Sequence, residues 1–599
     1  MALVVGSAVL ASLPATAAAK PSRLRAFASC AQLVDYAQRN LARTHGVAQQ
    51  VVPGIAEPTI PLATATPPSA PEASAGKDAT SSYSTTNVQE AGVDEPDTVK
   101  TDGATIFTVV GRTLYAIEAS GAPRIAGSLD LGRYGGDLLL RGHRLIVIQG
   151  AGGPIAYRIA PAPMQTQTII TEVDVGEPSK MKVARTLTLD GHYVNARQNG
   201  GTVRVVLSST PRAYAFPAAR DETSGWVPRS RFASRISGRH RVRAIVPCGT
   251  VRRPPSFSGL GVLSILTVDL DKGLWAVDSD GVMTDAQTVY GSPSHLYVAT
   301  QRWIAPGTAA DGLPATSTLI HRFDVSDPDR TTYEASGSVD GYLLNQYSLS
   351  EYKGDLRVAS TSRPAWWPGA QTVPSQSYVT VLRRNGSTLA PIGRVAGLGQ
   401  GQRIYSVRFI DDVGYVVTFR QIDPLYTIGL SDPARPKVLG ELELLGYSAY
   451  LHPIAGDLLL GVGQDATPEG RTKGVALSLF DVGDPAHPRL VGQHALGTAS
   501  SSQVEYDSHA FLYWAPSRLT VLPVQVFGDG GFTGALALRV DRSGIAELGR
   551  VAHTGGPPIS RAIVIGDRLW TLSDGGVLAS ALNGFGALGW VAFPAPMPG

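Results

Sequence analysis

The chain is poor in cysteine, in charge and in long apolar runs. Two cysteines in 599 residues exclude a disulfide-dense scaffold and a cysteine-rich zinc or iron–sulfur protein. Charged residues make up 17% and the net charge is only +3, so no strong global field steers nucleic acid or another polyelectrolyte toward it. Aromatics amount to 7%. No uninterrupted apolar run is long enough for a membrane-spanning helix. Helical periodicity is scarce after the N-terminal region. Catalytic signatures are missing as well. There is no Gly-x-Ser-x-Gly elbow, His-Glu-x-x-His pair or Walker loop, and neither a sialidase-type box nor the repeated tryptophan motif of quinoprotein propellers occurs. Glycine is plentiful at 66 residues, but far below the one in three of a collagen. The 43% hydrophobic content suits a chain that folds around a core.

Residues 1–19 read as an export signal. Ala2 to Leu13 is apolar, and the small residues Ala15 to Ala19 follow before Lys20. The run is too short to cross a bilayer and ends as a cleavage site does. The basic n-region is missing, consistent with a start upstream. Export implies an oxidising compartment, so Cys30 is expected to pair with Cys248. The closed loop of about 218 residues is worth roughly 5 kcal/mol in the chain-entropy model, as an upper figure. Residues 20–50 are expected to hold a short helix. Ser29 is its N-cap, and Leu33, Tyr36, Ala37 and Leu41 form one face. Residues 51–86, rich in Pro, Ala, Ser and Thr, read as a linker.

From residue 87 to 599 short apolar strands alternate with Gly, Asp, Asn and Pro turns. One unit recurs: a strand ending in Asp, then a turn, then another strand. It is clearest at Asp174-Val-Gly-Glu-Pro, Asp324-Val-Ser-Asp-Pro, Gly429-Leu-Ser-Asp-Pro and Asp481-Val-Gly-Asp-Pro. Weaker copies centre on Glu118, Asp269, Arg384, Asp541 and Asn583. The spacing is that of one four-stranded sheet, except for a longer gap between Asp174 and Asp269. Such a sheet has two apolar faces and shelters them only between neighbours. The expected fold is therefore all-β, a single β-propeller of four-stranded antiparallel blades. Nine copies are counted, and propellers commonly have four to eight blades. The best estimate is therefore eight, within a range of seven to nine.

Three groups of residues are candidates for function. Asp94, Glu95, Asp97 and Asp102 open the first blade and are expected either to hold a hard cation such as calcium or to cap backbone amides. The longer gap holds an arginine-rich insertion, residues 209–253. Arg229, Arg231, Arg235, Arg239, Arg241 and Arg243 could there face an acidic glycan, an anionic cell-wall polymer or lipid headgroups, or form a solvated excursion between strands of one blade. The first strand of each blade should line the central channel. That places Arg408, Asp423, His452, Glu505, Asp507 and His509 at its mouth, with Asn195, Arg197, Asp285, Asn345 and Gln346 on the same ring. His452, His509 and Asp507 would suit a transition metal if they met. Arg408 and Asp423 could instead pair and brace neighbouring strands.

Residues 83–103, Tyr83-Ser-Thr-Thr-Asn-Val-Gln-Glu-Ala-Gly-Val-Asp-Glu-Pro-Asp-Thr-Val-Lys-Thr-Asp-Gly, resemble the opening motif of a secreted β-propeller family distantly related to WD-40 repeats. Phe257-Ser-Gly-Leu-Gly-Val-Leu, Tyr342-Leu-Leu-Asn-Gln-Tyr-Ser-Leu-Ser-Glu-Tyr, Val407-Arg-Phe, Thr418-Phe-Arg-Gln-Ile-Asp-Pro-Leu-Tyr and Tyr450-Leu-His-Pro are similar to later parts of it. The resemblance covers most of residues 27–545. It implies an exported propeller and supplies no reaction, so no catalytic residue and no identified cofactor follow from it. The expectation is a binding or scaffold module at the cell surface. Its partner would be an extracellular protein, a glycan or a cell-wall polymer, and not nucleic acid. The alternative is a hydrolase or lyase acting on an extracellular polymer from the channel mouth.

Overall fold

The structure, a computed structural model, describes residues 23–48, 82–151, 166–255, 257–274, 276–284, 288–303, 316–362, 374–419, 423–454, 457–497, 499–528 and 530–594. The expected signal, most of the linker, and Asp285 lie outside the described residues.

The described strands form eight hydrogen-bonded sheets, one of them eight-stranded and holding two four-stranded units. This gives nine antiparallel blades in chain order, spanning residues 99–130, 137–190, 192–283, 288–340, 349–398, 403–444, 447–495, 500–551 and 559–592. The count stands at the top of the expected range. Each repeat marker lies at the end of a third strand, as with Thr113–Glu118, Gln167–Asp174, Thr316–Asp324, Thr472–Asp481 and Phe532–Asp541. Side chains close the turn that follows. The Asp324 carboxylate accepts from the Ser326 amide at 2.8 Å and that of Asp481 from Gly483 at 3.1 Å.

Burial explains the strand patterns. Thr202–Ser209 and Asp355–Thr361 are buried at every position because they lie between two other strands and between two blades. Outer strands such as Arg489–Ala495 alternate or are exposed. One apolar cluster joins blade 1 to blade 2 through Phe107, Leu114, Leu145 and Val147. Others join blades 2 and 3, 3 and 4, 4 and 5, 5 through 8, and 8 and 9. The last unites Ile106 and Ile117 of blade 1 with Trp570 and Leu572 of blade 9, so the ring is closed. Blade 9 takes all four strands from the C-terminal part of the chain. Packing closes the ring, and the segment before blade 1 adds an antiparallel bridge from Tyr83 to Ile565 of blade 9.

The helix Cys30–Ala48 starts at Ser29, whose hydroxyl accepts from the Gln32 amide at 3.2 Å. Leu33 and Ala37 are fully buried in the core shared by blades 2 and 3. Cys30 and Cys248 form a disulfide across a sequence separation of 218. The arginine-rich insertion lies between two strands of blade 3, Thr202–Ser209 and Val262–Asp269. It leaves blade 3 and folds as a hairpin, Arg229–Ser234 with His240–Ala244. The hairpin extends the outer edge of blade 2 through Lys182–Asp190. Its Trp226 is 1% exposed within the same core as Leu33. Val251–Arg253 then returns to pair with the outer strand of blade 3 and with Arg25–Ala26. Helix, insertion and disulfide together tie blade 2 to blade 3.

Candidate functional site

The segment before blade 1 runs around the inside of the ring. Tyr83 pairs with Ile565 on the inner strand of blade 9, and the Ser84 amide donates to Val564 at 2.8 Å. Asn87 donates to the Ser508 carbonyl of blade 8 at 2.9 Å and to the Tyr450 hydroxyl of blade 7 at 3.3 Å. Gln89 donates to the carbonyls of Gln346 and Leu349, at 3.2 and 3.0 Å, where blade 5 begins. Glu90 accepts from the Tyr290 hydroxyl of blade 4. Val93–Asp94 adds a short strand to the inner edge of blade 3, pairing with Gln198 and Asn199. Asp97 exchanges backbone bonds with Leu138 of blade 2 at 3.2 and 2.7 Å, and Val99 starts blade 1. The turns of this path need glycine. Gly103 has φ +90°, and a Cβ there would meet the Tyr83 ring at 2.6 Å.

Buried charges fix the segment. Glu95 is 1% exposed. Its carboxylate lies 3.2 Å from His509 Nε2 and 3.7 Å from Arg197, and accepts from the Gln89 amide and the Gln346 side chain, both at 3.3 Å. Burial alone would push the Glu95 carboxyl up, but the Arg197 and His509 charges and these bonds hold it at about 2. Burial opposes charge on His509 too, yet the bond to Glu95 and the field of Asp97 keep its pKa above the ordinary value. Asp97 receives Arg561 at 2.8 Å, and Arg561 also reaches Asp507 at 2.8 Å. Asp137 stands nearby, its carboxyl pushed up to about 6 by burial and by Asp97. An unpaired ion here would cost several kcal/mol.

The acidic candidates thus do not form one cluster. Lys100 donates to Asp94, to the Thr86 hydroxyl and to the Glu95 carbonyl, each at 2.7 Å. Asp102 caps the amides of Ala104 and Thr105 at 2.9 and 2.7 Å. Among the described residues no group of three or more His, Cys, Asp or Glu side chains is placed to hold a metal ion. His452 and His509 have separate partners. His452 Nδ1 meets the Tyr450 hydroxyl at 2.9 Å, and its ring packs 4.7 Å from Phe511. Burial and the Arg408 charge pull its pKa down to about 3, so it is neutral at physiological pH. Glu505 accepts from Gln464 at 2.8 Å, outside the network around Glu95, and burial raises its pKa.

Strand register argues against the expected Arg408–Asp423 brace. Arg408 faces Tyr415, and Tyr415 faces Thr427. Asp423 stands four residues further along, roughly 13 Å away at strand rise. Its side chain lies outside the described residues.

Sequence reasoning placed Asp507, His509, Arg197 and Gln346 on the channel ring and Asp97 only in the acidic opening stretch, and it missed Arg561, Asp137, Lys100 and Gln89. Arg561 left a signal: a lone arginine within Ile559–Ile565, an otherwise apolar inner strand. Beside the ion pairs opens a cavity of about 960 Å³, a funnel lined among others by Tyr83, Lys100, His452, His509, Tyr513 and Arg561.

The hairpin arginines lie elsewhere, on the rim. Arg229 and Arg231 face Asp190 at 3.9 and 3.5 Å, while Arg235, Arg239, Arg241 and Arg243 are exposed. Burial and the neighbouring Arg241 charge lower the pKa of Arg243.

The sequence profile described as beta propeller domain matches residues 83–585. An uncharacterized protein of Methanocaldococcus jannaschii is 36% identical over 238 residues, 40% of this chain and 35% of that protein. The chain therefore matches about a third of that relative's length. An uncharacterized protein of Archaeoglobus fulgidus is 29% identical over 539 residues, 79% of each chain. Among solved structures, a putative 6-phosphogluconolactonase from Bacteroides fragilis covers 53% of this chain and 86% of its own at 9% identity, with a TM-score of 0.31. Another from Bacteroides uniformis covers 60% and 89% at 10% identity, with a TM-score of 0.29. Neither likeness carries an argument about activity.

Proposed function

Since this chain belongs to the beta propeller domain family, we propose that it is an exported binding or scaffold propeller that holds an extracellular polar ligand in its funnel. Export is supported by the apolar run at residues 2–13 with its small-residue end. The disulfide between Cys30 and Cys248 fits an oxidising compartment. Among the described residues no helix is long and apolar enough to cross a membrane.

One observation carries the binding reading. The opening segment, from Tyr83 to Asp94, lines one wall of a cavity of about 960 Å³ against the inner strands of the ring. Tyr83, Phe511, Tyr513 and Trp514 line it with ring atoms, while Thr85 and Gln198, whose Oε1 has no partner among the described residues, add polar groups. Rings beside hydrogen-bonding groups suit the faces and hydroxyls of a glycan or cell-wall polymer. The exposed arginines of the insertion offer anionic polymers a second contact on the rim. A glycoside hydrolase would need a carboxylate pair open to its substrate, whereas Asp97 and Asp507 are both tied to Arg561.

The test is binding of the mature protein to an array of extracellular glycans and cell-wall polymers, with Tyr513→Ala in parallel. Saturable binding weakened in Y513A supports the reading. Turnover of a polymer, with no retained binding to any, would replace it by the enzymatic alternative.

A further inference from the structure

A second, smaller cavity of about 200 Å³ adjoins the opening segment, lined by its Gln89 and Glu90 and by residues of blades 5 and 6. Arg357 and Arg408 both line it. Arg408 is 3% exposed. No hydrogen bond or ion pair holds its guanidinium among the described residues. Its Nε is buried without a partner, and its one charge-bearing contact is the Tyr347 ring at 5.9 Å. Arg357 is 4% exposed, and its Nε also lacks a partner. Its other nitrogens donate to the Ser350 hydroxyl at 2.6 Å and to the Asp411 carbonyl. The rings of Tyr352 and Phe409 lie 4.8 and 4.9 Å from the guanidinium carbon. Burial pulls the Arg357 pKa down to about 10.

A guanidinium keeps its charge, and burying it with its donors unused is costly. Two other buried arginines of the inner strands are paired, Arg197 with Glu95, and Arg561 with Asp97 and Asp507. Arg408 breaks the pattern at a wall of an open cavity. We propose that Arg408, assisted by Arg357, binds the oxyanion of a small acidic ligand in this cavity: a carboxylate, sulfate or phosphate group.

Carboxylates stand on the same walls, and the charge of Glu90 acts on Arg357. Glu90 accepts from Tyr290, and Glu351 accepts from Ser292 at 2.6 Å and from His295 at 2.9 Å. With Asp411 they offer acceptors to the remainder of the ligand. The ligand class is therefore an oxyanion carrying hydroxyl donors, as in an acidic monosaccharide or a sugar phosphate. This inference does not rest on the funnel; the two cavities share only Pro453 among their lining residues.

The experiment measures calorimetric binding and melting temperature of the full exported chain. Galacturonate, sulfate and inorganic phosphate are titrated against sodium chloride of equal ionic strength. Wild type is expected to bind at least one saturably, and the responding probe separates a carboxylate source from a sulfate or phosphate one. Arg408→Met keeps the volume and removes the charge. Its affinity for that probe is expected to fall at least about tenfold, while its ligand-free melting temperature stays at or above that of wild type. Three results would overturn the proposal: no oxyanion effect beyond chloride, equal binding by R408M, or an R408M protein that melts well below wild type or does not fold. The last would make the guanidinium a packing element.

Discussion

Glu95→Gln is the sharpest single perturbation of the opening segment. The substitution keeps the shape and removes the charge that faces Arg197 at 3.7 Å and His509 at 3.2 Å. The fall of the Glu95 pKa from 4.5 to about 2 corresponds to roughly 3 kcal/mol of folding free energy at neutral pH. An independent route gives a similar figure, because removing one partner of a buried pair costs about 3–5 kcal/mol. Glutamine retains some hydrogen bonding to Gln346, so the lower end is expected. The sign follows from the depressed folded pKa. The contribution is complete above pH 4.5 and is lost as pH falls from 4.5 toward about 2. Urea denaturation of wild type and E95Q from neutral pH to pH ~2.5 reads both. The gap between the two proteins should be about 3 kcal/mol at pH 7 and shrink through the acid window. In the double-mutant cycle with His509→Gln, the two losses should be less than additive. A gap under about 1 kcal/mol at pH 7, or one that does not change with pH, would refute the role assigned to Glu95.

Other perturbations probe separate parts of the structure. Reducing the disulfide, or Cys30→Ser with Cys248→Ser, should lower stability by up to about 5 kcal/mol; an unchanged denaturation midpoint under reductant would mean that the helix is held by packing alone. Gly103→Ala should cost about 1–3 kcal/mol, since φ is +90° and the added methyl meets the Tyr83 ring; a neutral effect by thermal melt contradicts the tight turn. Reversal of Arg239, Arg241 and Arg243 to Glu should leave melting unchanged, because all three are exposed, and should abolish retention on a sulfated polysaccharide column. Equal retention removes the rim from the binding surface.

The blade pattern was legible because it is written locally. Asp324 and Asp481 each close a turn two residues on, so every copy carries its own signal. The N-terminal helix was legible for the same reason: Ser29 caps it, and Leu33 and Ala37 fall on one face. The ninth blade could be counted, but common propeller sizes pulled the estimate down to eight. What the sequence hid is what depends on distant partners. Asp97 and Arg561 are separated by 464 positions and Glu95 and His509 by 414, so in an acidic stretch read either as a cation site or as amide caps, Asp94, Glu95 and Asp97 are ion-pair anchors and Asp102 is an amide cap. The insertion hid its partner too, since a hairpin leaving blade 3 gives no sign that its edge matches blade 2. Arg561 alone could have been found, as a charge where the strand pattern demands an apolar residue.

The place of the opening segment inside the ring is tested most directly by hydrogen exchange on residues 87–101 of the intact chain. With Asp97 bonded to Leu138 at both its amide and its carbonyl, and Val93–Asp94 paired to the inner edge of blade 3, this stretch should exchange as slowly as the inner strands around it. Complete exchange within seconds, at the rate of an exposed loop, would mean that the segment is not held inside the ring and that the cavity lacks that wall.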